Sequence, residues 1–397
     1  MKRTGAMALS FLLLPACAPA PAPSPGPSRP PGKPVFTTVF RRGKGPYPVY
    51  RIPSLVTTRR GTLLAFAEGR RSLSDHSRND IVLERSADGG KTWGPLIRVL
   101  ADPEAVFVNP CALVLDSGRI LLMCQRFPVG YHSRAMGKRV KRLEPGIGGK
   151  HASKTLLTFS DDDGRTWSPP RDVTAGTKRP KKITSTASGP GIGIVLRRGP
   201  RPGRILVPTN EGWFEGKTFC FNVYACWSDD GGRTWKYGNV APRGSKGFGN
   251  EVQMVELSDG RVMLNSRSAG GARCRKIAFS RDAGRDWSPL EDDPRLPDPH
   301  CMASILRYSF GTRPGDKGIL LYAGPGTGKG RRLGTVRASF DDGRTWPVRK
   351  VIYPGGYAYS CLARLRDGSV GLLFEKDGYK EIAFARFRLE WLKEKAP

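Results

Sequence analysis

Apolar residues along this chain come in short runs, and the runs stop at the same kind of punctuation. Ile81-Val82-Leu83 and Thr155-Leu156-Leu157-Thr158-Phe159 have the length and composition of strands. Each leads into a polar, glycine-containing phrase. Ser86 to Trp93 is the first copy, and phrases of the same form run from Ser160 to Trp167, Ser228 to Trp235, Ser280 to Trp287 and Ser339 to Trp346. The aspartate two residues after each serine can accept backbone N–H groups, and the glycine two further on tolerates positive φ, so the phrase predicts a tight turn. The copies lie roughly 50 to 75 residues apart, the length of one four-stranded unit with insertions, which predicts a closed all-β array of blades. Five of the eight tryptophans end these phrases, as expected if each packs its broad apolar face against a neighbouring unit.

The turns between the phrases predict which residues meet. A hairpin about Arg60-Gly61 brings Tyr50-Arg51-Ile52-Pro53 across from Ala67-Glu68-Gly69-Arg70, with Arg51 opposite Arg70. A second about Asp259-Gly260 sets Asn250-Glu251-Val252-Gln253 beside Leu264-Asn265-Ser266-Arg267, and a third about Asp367-Gly368 returns Tyr359 close to Glu375. All three gather charged residues at the open end of the hairpin. If the first strand of a unit descends and the second ascends, the connection to the third, Arg71 to Asp80, lies on the same rim with Asp75, His76 and Asp80. The repeated turns then decorate the opposite face.

Met1 to Cys17 has an export-signal pattern: Lys2 and Arg3, then an apolar run from Ala6 to Leu14 too short to span a bilayer. Leu14-Pro15-Ala16-Cys17 resembles a lipobox, which makes Cys17 a candidate lipidation site; simple cleavage within Ala16-Cys17-Ala18 is the alternative. Residues 18–34, rich in proline and alanine, read as a stiff tether, and 35–397 as one large domain. The expected product is exported, either anchored through the lipid or released. Lys and Arg outnumber Asp and Glu by 66 to 35, giving +31, a surface that attracts polyanions. An exported chain without stacking platforms is not expected to bind nucleic acid, and most of the excess reads as solvated surface.

Seven cysteines follow Cys17. Cys220 and Cys226 are too far apart along a strand to bridge. Cys111 and Cys124 would face each other across a two-residue turn at Ser117-Gly118, as a disulfide or as two buried thiols. The histidines 76, 132, 151 and 300 lack metal-ligand spacing, so neither metal nor cofactor is expected. Gly324-Pro325-Gly326-Thr327-Gly328-Lys329 imitates a phosphate loop but lacks its first glycine and its Ser/Thr, and reads as a plain loop. Gly130 to His151, basic and aperiodic, reads as a long rim loop that shapes access.

The repeated phrase is similar to the Asp-box of the sialidase (neuraminidase) family, and the rim residues resemble that family's motifs in its own chain order. The resemblance runs from about Val35 to Trp391 and implies a six-bladed β-propeller with exo-α-sialidase activity. It assigns Arg51, Arg267 and Arg331 to the sugar carboxylate, with the adjacent Arg332 an alternative for the third. Arg70 contacts the sugar, Asp75 is the acid/base, Glu251 polarises the nucleophile, Tyr359 is that nucleophile, and Glu375 orients Arg51. The implied partners are sialylated glycans acted on by a monomer, with retention through a sialyl-tyrosine. A trans-sialidase with a sugar acceptor, or a silent propeller that binds anionic glycans, are the competing readings; an activated phenol speaks against the last.

Overall fold

Strands dominate because β-branched and aromatic residues alternate with small or polar ones between glycine-bearing turns. The computed structural model describes Met1 and residues 32–134 and 139–394; Cys17 and the rest of the expected export signal and tether, residues 2–31, lie outside the described residues. Strands Val49–Thr57, Leu63–Arg70, Asn79–Ser86 and Ile97–Leu100 form a four-stranded antiparallel sheet. A five-stranded sheet is centred on Ala105–Val114 and Ile120–Pro128, another on Ile205–Glu215 and Thr218–Ser228, and a four-stranded sheet runs from Phe248 to Pro297. The last sheet has seven strands, because the 17-residue strand Val348–Arg364 pairs with Arg332–Ser339 through its first half and with Val370–Lys376 through its second. Its outer edge is Val35–Arg41, hydrogen-bonded to Glu381–Phe387, so the two ends of the domain share one sheet. The architecture is all-β and propeller-like.

The repeated phrase folds as its residue types demand. Ser86 Oγ donates to Asp88 Oδ1 (2.8 Å) and accepts from Gly90 N (2.8 Å), while Thr92 donates to Asp88 through N (3.0 Å) and Oγ1 (2.6 Å). The same serine-to-aspartate bond, at 2.7 to 2.8 Å, closes the copies at Ser160, Ser228, Ser280 and Ser339. The closing tryptophans reach into the preceding sheet: Trp93 meets Phe384 edge-on at 5.4 Å and Trp167 meets Phe66 at 5.6 Å. Trp235 joins a core with Leu121, Trp287 one with Leu206, and Trp346 one with Met263. Interblade packing is therefore their use.

These turns carry a pH dependence. Burial would raise the Asp162 carboxyl, but hydrogen bonds from Thr166, Ser160 and Arg165 outweigh it and bring it down to about 2. An unfolded aspartate titrates near ~3.9. A depressed carboxyl contributes stability above the unfolded value and loses it as pH falls through the folded one. Asp88, Asp230, Asp282 and Asp341 are lowered too. Thermal melting is expected to drop steeply between about pH 4 and 2. A melting temperature flat across that range would remove the turns from the stability balance.

The hairpins depart from the expected register for a specific reason. Each turn is a three-residue loop closed by a left-handed glycine, not a two-residue turn: Thr58 N donates to Thr62 O, Gly61 N to Thr58 O, and Gly61 has φ 91°. Leu115/Arg119 and Gly118 repeat this arrangement, which shifts the pairing by one residue, so Cys111 lies opposite Met123 and not Cys124. The two thiols then belong to different core clusters, and both are free; the disulfide alternative is corrected to two buried thiols. Beyond the shift, four first strands each carry a β-bulge at the rim end, two residues facing one: Ile52-Pro53 against Ala67, Asn109-Pro110 against Cys124, Asn250-Glu251 against Arg267, and Ala358-Tyr359 against Glu375. Arg51 consequently pairs with Glu68 and not with Arg70.

Candidate active site

The bulges turn side chains off the strands into one cavity of about 240 Å³, lined by Arg51, Arg70, Asp75, Glu251, Arg267, Arg331 and Tyr359 among others. Seven of the eight residues singled out for the site thus share a single pocket. Glu375, the eighth, lies beneath it and is 1% exposed. It accepts from Arg51 Nε (2.7 Å) and Nη2 (3.2 Å), and from the backbone N–H groups of Ile52 (2.9 Å) and Tyr359 (3.1 Å). Ile52 holds φ 60°, a conformation costly for a β-branched residue, and its N–H bond to Glu375 helps hold it there. One carboxylate therefore fixes a guanidinium and two bulges together. Burial works against charge on Arg51, but Glu375 outweighs it and keeps the guanidinium protonated.

At the pocket floor Tyr359 Oη donates to Glu251, 2.6 Å from each carboxylate oxygen. Arg267 Nη1 donates to Glu251 Oε2 and to Tyr359 Oη, each at 2.7 Å. Burial pushes the phenol well above its ordinary value, Arg267 and Arg331 pull it down, and Glu251 pushes it up. The phenol is therefore neutral at rest, with a proton acceptor in contact. Arg51 and Arg331 stand 5.4 and 5.3 Å from the centre of the Tyr359 ring. Arg331 Nη2 donates to His300 O (2.8 Å), whereas Arg332 is exposed at the start of its strand and does not line the cavity. Among the described residues Arg51 Nη1 and Arg267 Nη2 have no protein partner, which leaves donors for an anion.

On the opposite wall Arg70, 2% exposed, donates to Glu68 Oε2 (2.7 Å) and to Asp75 Oδ1 (2.8 Å). Burial alone would raise the Asp75 carboxyl, but Arg70 and Arg51 outweigh it and set it below the usual carboxylate range. Its side chain remains 64% exposed, the most accessible acid of the site. Asp80 is tied elsewhere, accepting from Tyr47 Oη at 2.5 Å. The loop after Gly130 does reach the cavity: His132, Ser133 and Arg134 line it, and the His132 ring is 4.4 Å from that of His76. Burial, with His76 adding to it, brings His132 down to about 4.

Residues 61–372 match the BNR repeat-like domain family. An exo-alpha-sialidase of Aspergillus fumigatus is 30% identical over 375 residues, covering 86% of this chain and 84% of the relative. The chain belongs to the sialidase family. A sialidase of Micromonospora viridifaciens is 37% identical over 359 residues, and one of Bacteroides fragilis is 32% identical over 340. The chain spans only 53% and 60% of the length of these two bacterial relatives. Among solved structures, the Hadza microbial sialidase Hz136 superposes with a TM-score of 0.74 at 30% identity, over 87% of this chain and 67% of that one.

Several residues that build this site carry little signal in the sequence. Glu68 is the buried partner of Arg70, and it also accepts from Asn109 N (2.7 Å). Asn109 holds φ 57° in its own bulge and lines the cavity. Tyr379, in a turn with positive φ at Asp377, Gly378 and itself, sits against two of the arginines that line the cavity. Its ring lies 4.0 Å from Arg51 Cζ and its hydroxyl accepts from Arg331 (2.9 Å), so it sets their spacing. A glycine-bearing turn after Glu375 was the only cue to Tyr379, and it says nothing of where the ring points.

Proposed function

We propose that this chain is an exo-α-sialidase that releases terminal sialic acids from glycoconjugates with retention, on a propeller of six blades. The blade count follows if Val348–Arg364 serves two units, its first half ending one four-stranded blade and its second half beginning the next. The observation that carries the activity is the contact of Tyr359 Oη with Glu251 at 2.6 Å, beside Arg267 and below the Arg51 and Arg331 guanidiniums.

Sialic acid bears its carboxylate on the anomeric carbon, so an anionic nucleophile would meet like charge; a neutral phenol does not. The three guanidiniums grip that carboxylate through bidentate, permanently charged donors. As the phenol attacks, its proton passes to Glu251, and Arg267 stabilises the negative charge developing on the phenolic oxygen it already touches. When water later breaks the sialyl-tyrosine bond, Glu251 returns that proton to the departing phenolate. Asp75, when protonated, gives its proton to the departing glycosidic oxygen and afterwards removes one from the water that cleaves the sialyl-tyrosine. Arg70 holds Asp75 at the opposite wall and is available to the sugar.

The N-terminal segment is proposed to export the protein and, through Cys17, to anchor it by a lipid; the propeller acts as a monomer. Release of fluorophore from an aryl sialoside by the purified protein, blocked by an unsaturated sialic acid analogue, is the expected result. Sialoside binding without release would leave only a glycan-binding propeller, and transfer to added lactose in preference to water would make it a trans-sialidase.

A further inference from the structure

The hairpin of strands Ile205–Glu215 and Thr218–Ser228 is long, with 11 residues in each strand and a turn at Gly216-Lys217. Phe221 on this hairpin lines the cavity. From it a row of rings leads outward: Phe221 to Phe219 is 4.9 Å between centroids, and Phe219 to Phe214 is 4.8 Å. Phe214 pairs with Phe219 across the hairpin, so the three rings share one face. All three are only partly buried.

Two guanidiniums from the loop after Gly130 stand over this row. Arg142 Cζ is 3.7 Å from the Phe214 centroid, and Arg134, which also lines the cavity, is 5.6 Å from Phe219. Both arginines are exposed, and neither has a carboxylate partner among the described residues. A guanidinium laid on an aromatic ring keeps its N–H edges free while its face is held, which is how arginine is presented to planar anions. The backbone beneath them is ordered by pairing of Tyr131 with Lys141 and His132 with Arg142, and by Tyr131 stacked on His151 at 4.2 Å. The carboxyls nearest in sequence are engaged elsewhere, Glu144 by His151 and Glu215 by Trp213.

We infer that Arg134 and Arg142, carried on the Phe214–Phe219–Phe221 row, form a leaving-group subsite for aglycones that bear a second anionic group. This rests on the sialidase reading of the cavity, which fixes where the scissile sugar sits. Phe221, the ring that lines the cavity, takes an apolar face of the first leaving sugar, and the guanidiniums carried on Phe219 and Phe214 beyond it take a carboxylate or a sulfate on that sugar or on the next. Those two sources share their chemistry and are separated by the substrates chosen.

The test compares kcat/KM for α2,3-sialyllactose, for the same trisaccharide sulfated on galactose O6, and for α2,8-disialyllactose. It uses the full chain and an Arg134→Gln/Arg142→Gln variant, with Arg142→Gln alone as a milder change. The double variant is expected to lower the ratio of kcat/KM for substrates with a charged leaving group to that for sialyllactose, whose leaving group is neutral, by about tenfold, and added salt to lower that ratio for the unaltered protein. Loss on the sulfated arm alone assigns the subsite to sulfate, and loss on the disialyl arm alone to a second sialic acid. Equal losses on substrates with neutral and with charged leaving groups, or an unmoved ratio, overturn the subsite while the sialidase reading stands. Failure of the unaltered protein to cleave even an aryl sialoside overturns both.

Discussion

Tyr359→Phe is expected to lower kcat on an aryl sialoside by about 10³-fold or more, because it removes the attacking atom together with its hydrogen bonds to Glu251 and from Arg267. The benzyl ring stays, so the faces toward Arg51 and Arg331, 5.4 and 5.3 Å away, keep their packing. The backbone N–H of residue 359 still reaches Glu375. The variant should therefore melt near the unaltered protein and still bind an unsaturated sialic acid, its arginines being intact. The first sugar released by the unaltered protein should be the α-anomer, seen by proton NMR before mutarotation. A Phe variant within tenfold of normal turnover, or a β-anomer as first product, would take the phenol out of the mechanism.

Asp75→Ala is expected to lower kcat/KM by about 10²- to 10⁴-fold on sialyllactose, whose leaving hydroxyl needs a proton, and far less on an aryl sialoside, whose leaving phenol does not. The Arg70 contact at 2.8 Å favours the ionised form of Asp75, so the acid form is scarce in the empty site and scarcer as pH rises. kcat/KM on sialyllactose should accordingly fall as pH climbs above the carboxylate range, and this fall should vanish in the Ala variant. Equal losses of kcat/KM on both substrates would assign Asp75 to positioning Arg70 and deny it the proton donation to the leaving group.

Residue types and their order along the chain revealed most of this site; their register did not. Tyr359 beside Glu375 and Glu251 beside Arg267 follow from hairpin arithmetic that tolerates a slip, since the partners lie within a residue or two of the expected row. The slip itself has two sources. A glycine at positive φ reads equally as part of a two- or a three-residue turn, and here it closes three. The bulges are set by what they face: Ile52 keeps its strained backbone because Glu375, some 300 residues on, bonds its N–H, and no local pattern reports that. Cys111 and Cys124 show the consequence, since one residue of shift sent the two thiols to opposite faces of a sheet. Tyr379 and Arg142 were illegible for a related reason, because their use depends on rings and guanidiniums brought together from distant loops.

Among the described residues, the strand Val35–Arg41 pairs with one strand, Glu381–Phe387. During translation at about 5 to 20 residues per second, the earliest strand of the domain waits roughly 20 to 70 s for the latest to be made. Until then the ring is a spring clip left open, with an unsatisfied edge at either jaw. Joining those jaws is the step at which the arginines of the first and last sheets first come within reach of one another.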